Sequence, residues 1–244
     1  MPLVDELSSS RSKSSLIHLC CTLVALLYAP HLVAAQSKHA LQLNLEGYSD
    51  DATHTAESNI GGVLMDTQET EVGRSPAFAL SLQYLLPLTD HLRIGPGVRY
   101  LSSYRYLDDN EQDPNAQGTL IGRLFEVYAR AELTIGLTDA LALLPALDFG
   151  MPFLFAAGDL QRDLDQKKQQ GYNVNSLPRI GFLIGAELAC RYQLNDYLFL
   201  RGGLGLQHDR ITLYDASTDG DRGLVSRYIS LTRIRALVGA EVQF

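Results

Sequence analysis

The chain has 244 residues, a formal net charge of −8 and no tryptophan. Its length suits a single all-β domain. The negative charge argues against a nucleic-acid partner, because the phosphate backbone would repel it and no basic patch compensates. Hydrophobic residues make up 46% of the sequence. That fraction fits a soluble globule, and it also fits a membrane barrel, in which only alternate strand residues face lipid.

The N-terminal segment has the layout of a secretory signal peptide. Basic residues precede an apolar stretch from Leu16 to Tyr28, and a cleavage-site pattern of small residues ends at Ala35. A membrane-spanning helix would need a longer apolar stretch. We therefore predict a cleaved signal peptide over residues 1–35 and one exported domain over residues 36–244.

A short turn sequence occurs three times in the predicted mature domain. Each copy contains Leu, then Thr or Asn, then Asp, and the copies span residues 88–92, 137–141 and 194–198. Thr, Asn and Asp favour turns because their side chains bond to nearby backbone groups. On both sides of each turn, apolar residues occupy every second position over the length that a tilted strand needs to cross a bilayer. The repeat predicts three antiparallel hairpins.

The two ends of the domain add one strand each, because the same alternation runs through residues 41–46 and 234–244. We predict an all-β fold, a closed antiparallel transmembrane β-barrel of eight strands with short periplasmic turns and long extracellular loops. A further hairpin over residues 60–74 would raise the number to ten, and a short helix is an option in the third loop. The predicted loops cover about residues 49–75, 103–119, 157–177 and 209–225.

The two faces of the predicted strands differ in polarity. One face is almost purely apolar, whereas the other holds most of the strand charges, which are costly to place in hydrocarbon. Every basic member is arginine, which forms two-point bonds with carboxylates. Since an eight-stranded barrel is about filled by its own side chains, we predict a plugged polar core. The inward set comprises Glu46, Arg93, Arg99, Glu126, Arg130, Glu132, Asp148, Glu187, Arg191, Arg201, Arg233, Arg235 and Glu241.

Part of this inward set is the candidate functional site. Two interpretations are open: a network that stabilises the barrel core by pairing, or the lining of a narrow, gated ion pathway. The residues predicted to form the polar network of the lumen are Arg99, Arg130, Glu132, Glu187, Arg201 and Arg233.

The terminal run Val238-Gly239-Ala240-Glu241-Val242-Gln243-Phe244, taken with the signal peptide and the alternating strands, resembles small outer-membrane barrels of the OmpA-like and opacity-type superfamily. The resemblance covers nearly all of the predicted mature domain and assigns no subfamily. It implies a location in the outer membrane and contact with outer-membrane lipid and lipopolysaccharide. It also implies that Phe244 is the recognition signal for the barrel assembly machinery. We expect a monomer.

We expect no catalytic, cofactor or metal site. His208 and Asp209 are adjacent where a strand enters the last loop, but no Ser, His and acid fall together on one strand face. The acidic loops lack the ordered spacing of a calcium-binding motif.

The sequence predicts a structural or surface-interaction role through the extracellular loops. The alternative is a narrow channel or conduit for small molecules, in which Pro96 and Pro145 weaken strand pairing because proline cannot donate to the ladder. A lipid A-modifying enzyme is a less consistent hypothesis. A soluble periplasmic barrel fits badly, because it would keep its apolar face inward.

Overall fold

The computed structural model describes residues 38–60, 63–72, 76–106, 119–174, 178–218 and 223–244. The predicted signal peptide over residues 1–35 lies outside the described residues, so it stays a prediction. The described elements, in chain order, are β1 (Ala40–Ile60), β2 (Val63–Val72), β3 (Pro76–Pro87), β4 (Leu92–Tyr106), β5 (Thr119–Leu133), β6 (Ile135–Gly136), β7 (Leu141–Ala156), α1 (Gly158–Gln169), β8 (Tyr172–Val174), β9 (Arg179–Gln193), β10 (Leu198–Thr218) and β11 (Gly223–Gln243).

Eight of these strands close into an antiparallel barrel. The order around the wall is β11, β1, β3, β4, β5, β7, β9 and β10, and β10 pairs with β11 to complete the cylinder. The first and last strands meet in register, from Ala40 opposite Gln243 to Ile60 opposite Gly223. The predicted fold class and the number of eight barrel strands are confirmed.

The three repeated turns join successive barrel strands at one rim. In the first turn, the Leu88 backbone N–H donates to the Leu92 carbonyl at 2.8 Å, and the Leu92 N–H donates to Thr89 Oγ1 at 3.0 Å. Thr138 and Asn195 accept the equivalent backbone hydrogen bonds in the other two turns, at 3.1 and 2.8 Å. Each turn is therefore closed by the side chain that its sequence predicted.

At the opposite rim, several strands run much further than the sequence predicted. β1 continues to Ile60, β10 continues to Thr218, and β11 begins at Gly223. Much of the predicted loops 49–75 and 209–225 is thus strand, so these two loop predictions are wrong over those stretches. The error has a physical cause: alternation of apolar residues reports burial of one face, whereas strand pairing needs only that backbone groups find partners.

The strand β2 lies outside the barrel wall, so the wall has eight strands and not ten. It pairs with the outer part of β1, from Ala52 opposite Val72 to Ile60 opposite Val63, and it lies off the closed path of the wall. A strand does form within the stretch 60–74, but it is added beside the barrel.

The third long connection contains the short helix α1. Gly158 opens it with a φ of 59°, and Gly171 follows its end with a φ of 88°, a left-handed conformation that favours glycine. The Gly171 N–H donates to the Lys168 carbonyl at 3.0 Å, which closes the last turn. The described part of the chain contains no helix long and apolar enough to span a membrane.

Glycines let neighbouring strands approach closely where the wall bends. At Gly203, an added Cβ would lie 2.5 Å from the Leu188 carbonyl oxygen and 2.6 Å from the Ala189 Cα. Such glycine positions give a sheet the curvature that a small barrel needs. Positions where a Cβ would meet a neighbouring carbonyl oxygen within 2.5 Å are Gly95, Gly122, Gly150, Gly181, Gly203 and Gly239.

The outer surface of the wall is a belt of exposed apolar side chains. Leu204 is 65% exposed, Ile234 62% and Val238 62%, and similar residues follow on every barrel strand. The belt extends from the turns up to the level of Arg123 and Arg210. Within it, none of the outward-facing side chains that the structure describes is charged.

Candidate functional site

The interior of the barrel holds a network of ion pairs. Seven arginines and seven acids take part, and none of them is more than 7% exposed. All thirteen charged residues predicted to face inward lie here, and Asp209 joins them. The arginines are Arg93, Arg99, Arg130, Arg191, Arg201, Arg233 and Arg235, and the acids are Glu46, Glu126, Glu132, Asp148, Glu187, Asp209 and Glu241.

Strand register places opposite charges face to face. Arg93 lies directly opposite Glu132, Arg99 opposite Glu126, and Arg130 opposite Asp148. Side chains at directly opposed positions of an antiparallel pair lie about 5 Å apart at Cβ. The period-two spacing of charges along each strand therefore becomes a set of cross-strand ion pairs once the register is fixed.

Near the rim that carries the turns, the network is centred on Glu241. Its carboxylate accepts hydrogen bonds from Arg93 Nη1 at 2.8 Å and Arg191 Nη1 at 2.9 Å. The Gln42 amide also donates to it, at 2.8 Å. The Arg93 guanidinium reaches onward to Glu132, so this cluster connects to the middle of the barrel.

In the middle of the barrel, Glu132 and Glu187 share two arginines, Arg130 and Arg201. Arg201 Nη2 lies 3.3 Å from Glu132 and 2.9 Å from Glu187, and Arg130 contacts both acids. Arg235 lies 3.1 Å from Glu187. Each carboxylate is thus surrounded by more than one cation, a condition under which buried charge is tolerated.

The outer end of the network is built around Glu126. Its carboxylate accepts hydrogen bonds from Arg99 Nη1 and Arg233 Nη1, both at 2.6 Å. Gln207 Nε2 links Glu126 to Asp209, donating to the latter at 2.8 Å. The six residues predicted as the polar network of the lumen belong to this one connected array. Whether they stabilise the core or line a pathway stays a prediction.

Above the ion pairs, the interior becomes apolar. On β4, β5 and β10 the inward residues that follow the last charges are hydrophobic: Leu101 follows Arg99, Leu124 precedes Glu126, and Ile211 follows Asp209. Leu164 of α1 packs into the same cluster and is 2% exposed. The sequence analysis missed this second, apolar plug. The signal was present, because the inward period of two continues through these residues without a break.

His208 and Asp209 point to opposite sides of the wall. Asp209 lies in the ion-pair network, whereas His208 Nδ1 is 3.2 Å from Thr232 Oγ1 and its ring lies 6.4 Å from that of Phe182 on the outer face. The two residues therefore do not form one site. Among the described residues, no group of three or more His, Cys, Asp or Glu is positioned to hold a metal ion.

Phe244 lies at the rim that carries the turns. Its backbone N–H donates to the His39 carbonyl at 3.0 Å, and its ring stacks with those of His39 and Tyr84, with centroids 6.1 and 6.4 Å apart. The ring is 67% exposed. Its role as an assembly signal stays a prediction.

No protein-family model matches this chain, and no curated protein does. Solved structures match its fold. The outer membrane protein OprG from Pseudomonas aeruginosa is 12% identical, with a TM-score of 0.51 over 86% of this chain and 98% of that chain. Neisserial surface protein A is 12% identical, with a TM-score of 0.42 over 81% and 97%. The outer membrane protein AlkL is 12% identical, with a TM-score of 0.42 over 88% and 94%.

At 12% identity, the match with OprG shows a shared fold and assigns no function. The chain has the closed, eight-stranded architecture of small outer-membrane barrel proteins. The predicted resemblance is confirmed at the level of the fold, and the subfamily is unassigned.

Proposed function

We propose that the chain is an integral outer-membrane barrel with a closed lumen, which presents its extracellular end as an interaction surface. One observation carries the proposal: charged side chains fill the inside, while the described outward side chains form an apolar belt that carries no charge. In water this arrangement would expose the apolar face and bury charge at a cost. In a bilayer the apolar face contacts lipid, and the charged side chains pair with one another inside the barrel.

The closed lumen rests on two successive plugs. The charged residues from Glu241 to Asp209 pair with one another across the barrel, and the apolar cluster capped by Leu164 follows them. Opening a water path would require several ion pairs to separate and the apolar cluster to move. These two plugs favour a structural protein that presents its outer elements over a channel through which solutes diffuse.

The elements left to carry a specific function lie at the outer end. The strand β2, the outer parts of β1, β10 and β11, and the helix α1 all lie beyond the closed body of the barrel. Surface segments held by a rigid scaffold are the usual carriers of recognition. We infer that any partner outside the cell contacts these elements.

Single-channel recording tests the closed lumen. Reconstituted into a planar bilayer, the protein should show no stable conductance steps, because ions would have to pass through both the ion-pair network and the apolar cluster. Arg130→Ala should introduce intermittent conductance by removing the cation that bridges Glu132, Asp148 and Glu187. Arg162→Ala, on exposed helix surface, is the matched control and should stay silent. Stable conductance steps in the unmodified protein would overturn the closed lumen.

A conduit for small apolar molecules through the wall is the second candidate. The hydrogen-bonded pairing between β3 and β4 is interrupted beside Pro96. The pairing of β5 with β7 stops beside Pro145, and β6 resumes it further along β7. A depression of about 510 Å³ on the outer face is lined by Ala129 and Ala131 and reaches Arg130. Passage of a small apolar dye into protein-containing vesicles, without ion conductance, would favour this candidate over the first.

A further inference from the structure

A cavity of about 190 Å³ lies where α1 crosses the outer ends of β7 and β9. The helix contributes three residues spaced along one of its faces. The ends of β7 and β9 close the other side with a mixture of apolar side chains and one arginine. The lining residues are Phe155, Ala156, Gln161, Leu164, Lys168, Pro178 and Arg179.

The charge of this cavity is one-sided. Arg179 is 7% exposed and Lys168 reaches the cavity from the helix, so the described lining residues include two cations and no acid. Arg123 adds a third cation on the outer face, directly opposite Phe155 in the register of β5 and β7.

Two of the three acids of α1 contact other residues of the same helix. Asp165 accepts a hydrogen bond from Gln161 Nε2 at 2.9 Å, and Asp159 pairs with Arg162 one turn along the helix. Asp163 has no ion pair to any residue that the structure describes, and it is not among the residues that line the cavity. The described lining of the cavity therefore offers an anion two cations, Lys168 and Arg179, and no carboxylate.

An apolar track runs from the cavity along the outer wall. Phe155 is the last outward residue of β7 and is 49% exposed, and Ile180 and Phe182 on β9 are 50% and 45% exposed. Met151, at 50%, continues the track on β7. These residues belong to the apolar belt, so the cavity lies where that belt meets the polar outer end. A ligand there needs an anionic head and an apolar tail.

We propose that this cavity binds the phosphate group of an outer-leaflet lipid, whose acyl chains lie along the outward faces of β7 and β9. Arginine and lysine are the side chains that best recognise phosphate, arginine by two-point hydrogen bonds and lysine as a point charge. A phosphorylated glycolipid of the lipopolysaccharide class has this combination of charged head and acyl tail. The inference rests on the proposed membrane-inserted barrel and assigns it a specific lipid site.

Native mass spectrometry of the full chain in detergent tests the site, with bisphosphoryl lipid A as the probe and phosphatidylcholine as the reference lipid. We expect bisphosphoryl lipid A to bind preferentially. Lys168→Glu should weaken that binding about thirtyfold, since each charge beside an anionic lipid head is worth about fivefold in affinity and the substitution removes one cation and adds one anion. Lys167→Glu, the same change on the same helix at a residue outside the cavity lining, should leave affinity within about twofold.

Insertion is measured separately, by protease protection of each variant in vesicles. If the unmodified protein fails to insert, the proposed function fails. If it inserts but Lys168→Glu and Lys167→Glu bind lipid A equally, or if lipid A binds no better than phosphatidylcholine, the lipid site alone is wrong. Binding of oleate that depends on Lys168, without binding of lipid A, would also overturn the assignment and identify a site for free carboxylate amphiphiles.

Discussion

Replacing Glu132 with glutamine should destabilise the barrel by about 3–5 kcal/mol, the usual cost of removing one member of a buried ion-pair cluster. Glu132 is 0% exposed and contacts Arg93, Arg130 and Arg201. The amide keeps the size of the side chain but removes the negative charge that offsets three buried guanidinium groups. The measurement is a urea titration of the vesicle-inserted protein. The folded fraction at each urea concentration is read from the migration of the protein in unheated gels.

The control is Arg162→Gln, which breaks the exposed pair with Asp159 on α1. Exposed ion pairs contribute at most about 1 kcal/mol, so this variant should unfold close to the unmodified protein. If Glu132→Gln shifts the midpoint no more than Arg162→Gln does, the lumen network does not hold the barrel together. The interpretation of these residues as a pathway lining would then gain support.

The second large effect is expected at Gly203, where β10 passes close to β9. An added methyl group at this position would lie 2.5 Å from the Leu188 carbonyl oxygen and 2.8 Å from the Ala189 Cβ. Both are parts of a paired strand that cannot rotate away. Gly203→Ala should therefore destabilise the barrel by about 1–3 kcal/mol, the range found for overpacking. The same urea titration measures it.

The adjacent Gly202 gives a matched control on the same strand. A Cβ there would find its nearest atom, the Leu237 carbonyl oxygen, at 3.6 Å, which is ordinary contact. Gly202→Ala should change stability by no more than about 0.5 kcal/mol. Equal effects of the two substitutions would mean that β9 does not approach β10 at Gly203 as closely as described.

The body of the barrel could be predicted from the sequence because every strand has one face toward lipid and the other toward a charged interior. Lipid outside and charge inside force an alternation of period two, which the residues around Arg99 and Glu126 follow without exception. The turns could be predicted for a local reason. Thr89, Thr138 and Asn195 close each turn with their own side chains, and that needs no distant contact.

The outer end could not be predicted in the same way. In the sequence, residues 50–60 and 212–218 show no sustained alternation of apolar residues, so the strand pairing of these stretches leaves little trace in the pattern. The candidate lipid site was also missed. It brings Lys168 of α1 beside Arg179 of β9, and only the packing of the helix onto the barrel unites residues that carry no shared motif.

The inward position of the charged residues could be predicted from the alternation, but the partner that each of them contacts could not. Arg235 contacts Glu46, Asp148 and Glu187 on three other strands. Such contacts across the lumen depend on the stagger of the strands around the closed cylinder, which the sequence pattern of a single strand does not define.

The most direct test of the whole account uses Cys190, the free cysteine on the outer face of β9. Its outward neighbours Leu188 and Tyr192 are 48% and 53% exposed and belong to the apolar belt. With Cys20 and Cys21 replaced by serine, a spin label on Cys190 of the vesicle-inserted protein is measured for collisions with oxygen and with a water-soluble nickel complex. Gln169→Cys, on the exposed end of α1 in a Cys190→Ser background, is the reference.

Oxygen concentrates in the bilayer interior, whereas the nickel complex stays in water. We expect the label at residue 190 to collide mainly with oxygen and the label at residue 169 to collide mainly with nickel. A label at residue 190 that meets nickel as freely as the reference would contradict the assignment of this face to lipid, and the proposed membrane-inserted barrel would fail with it.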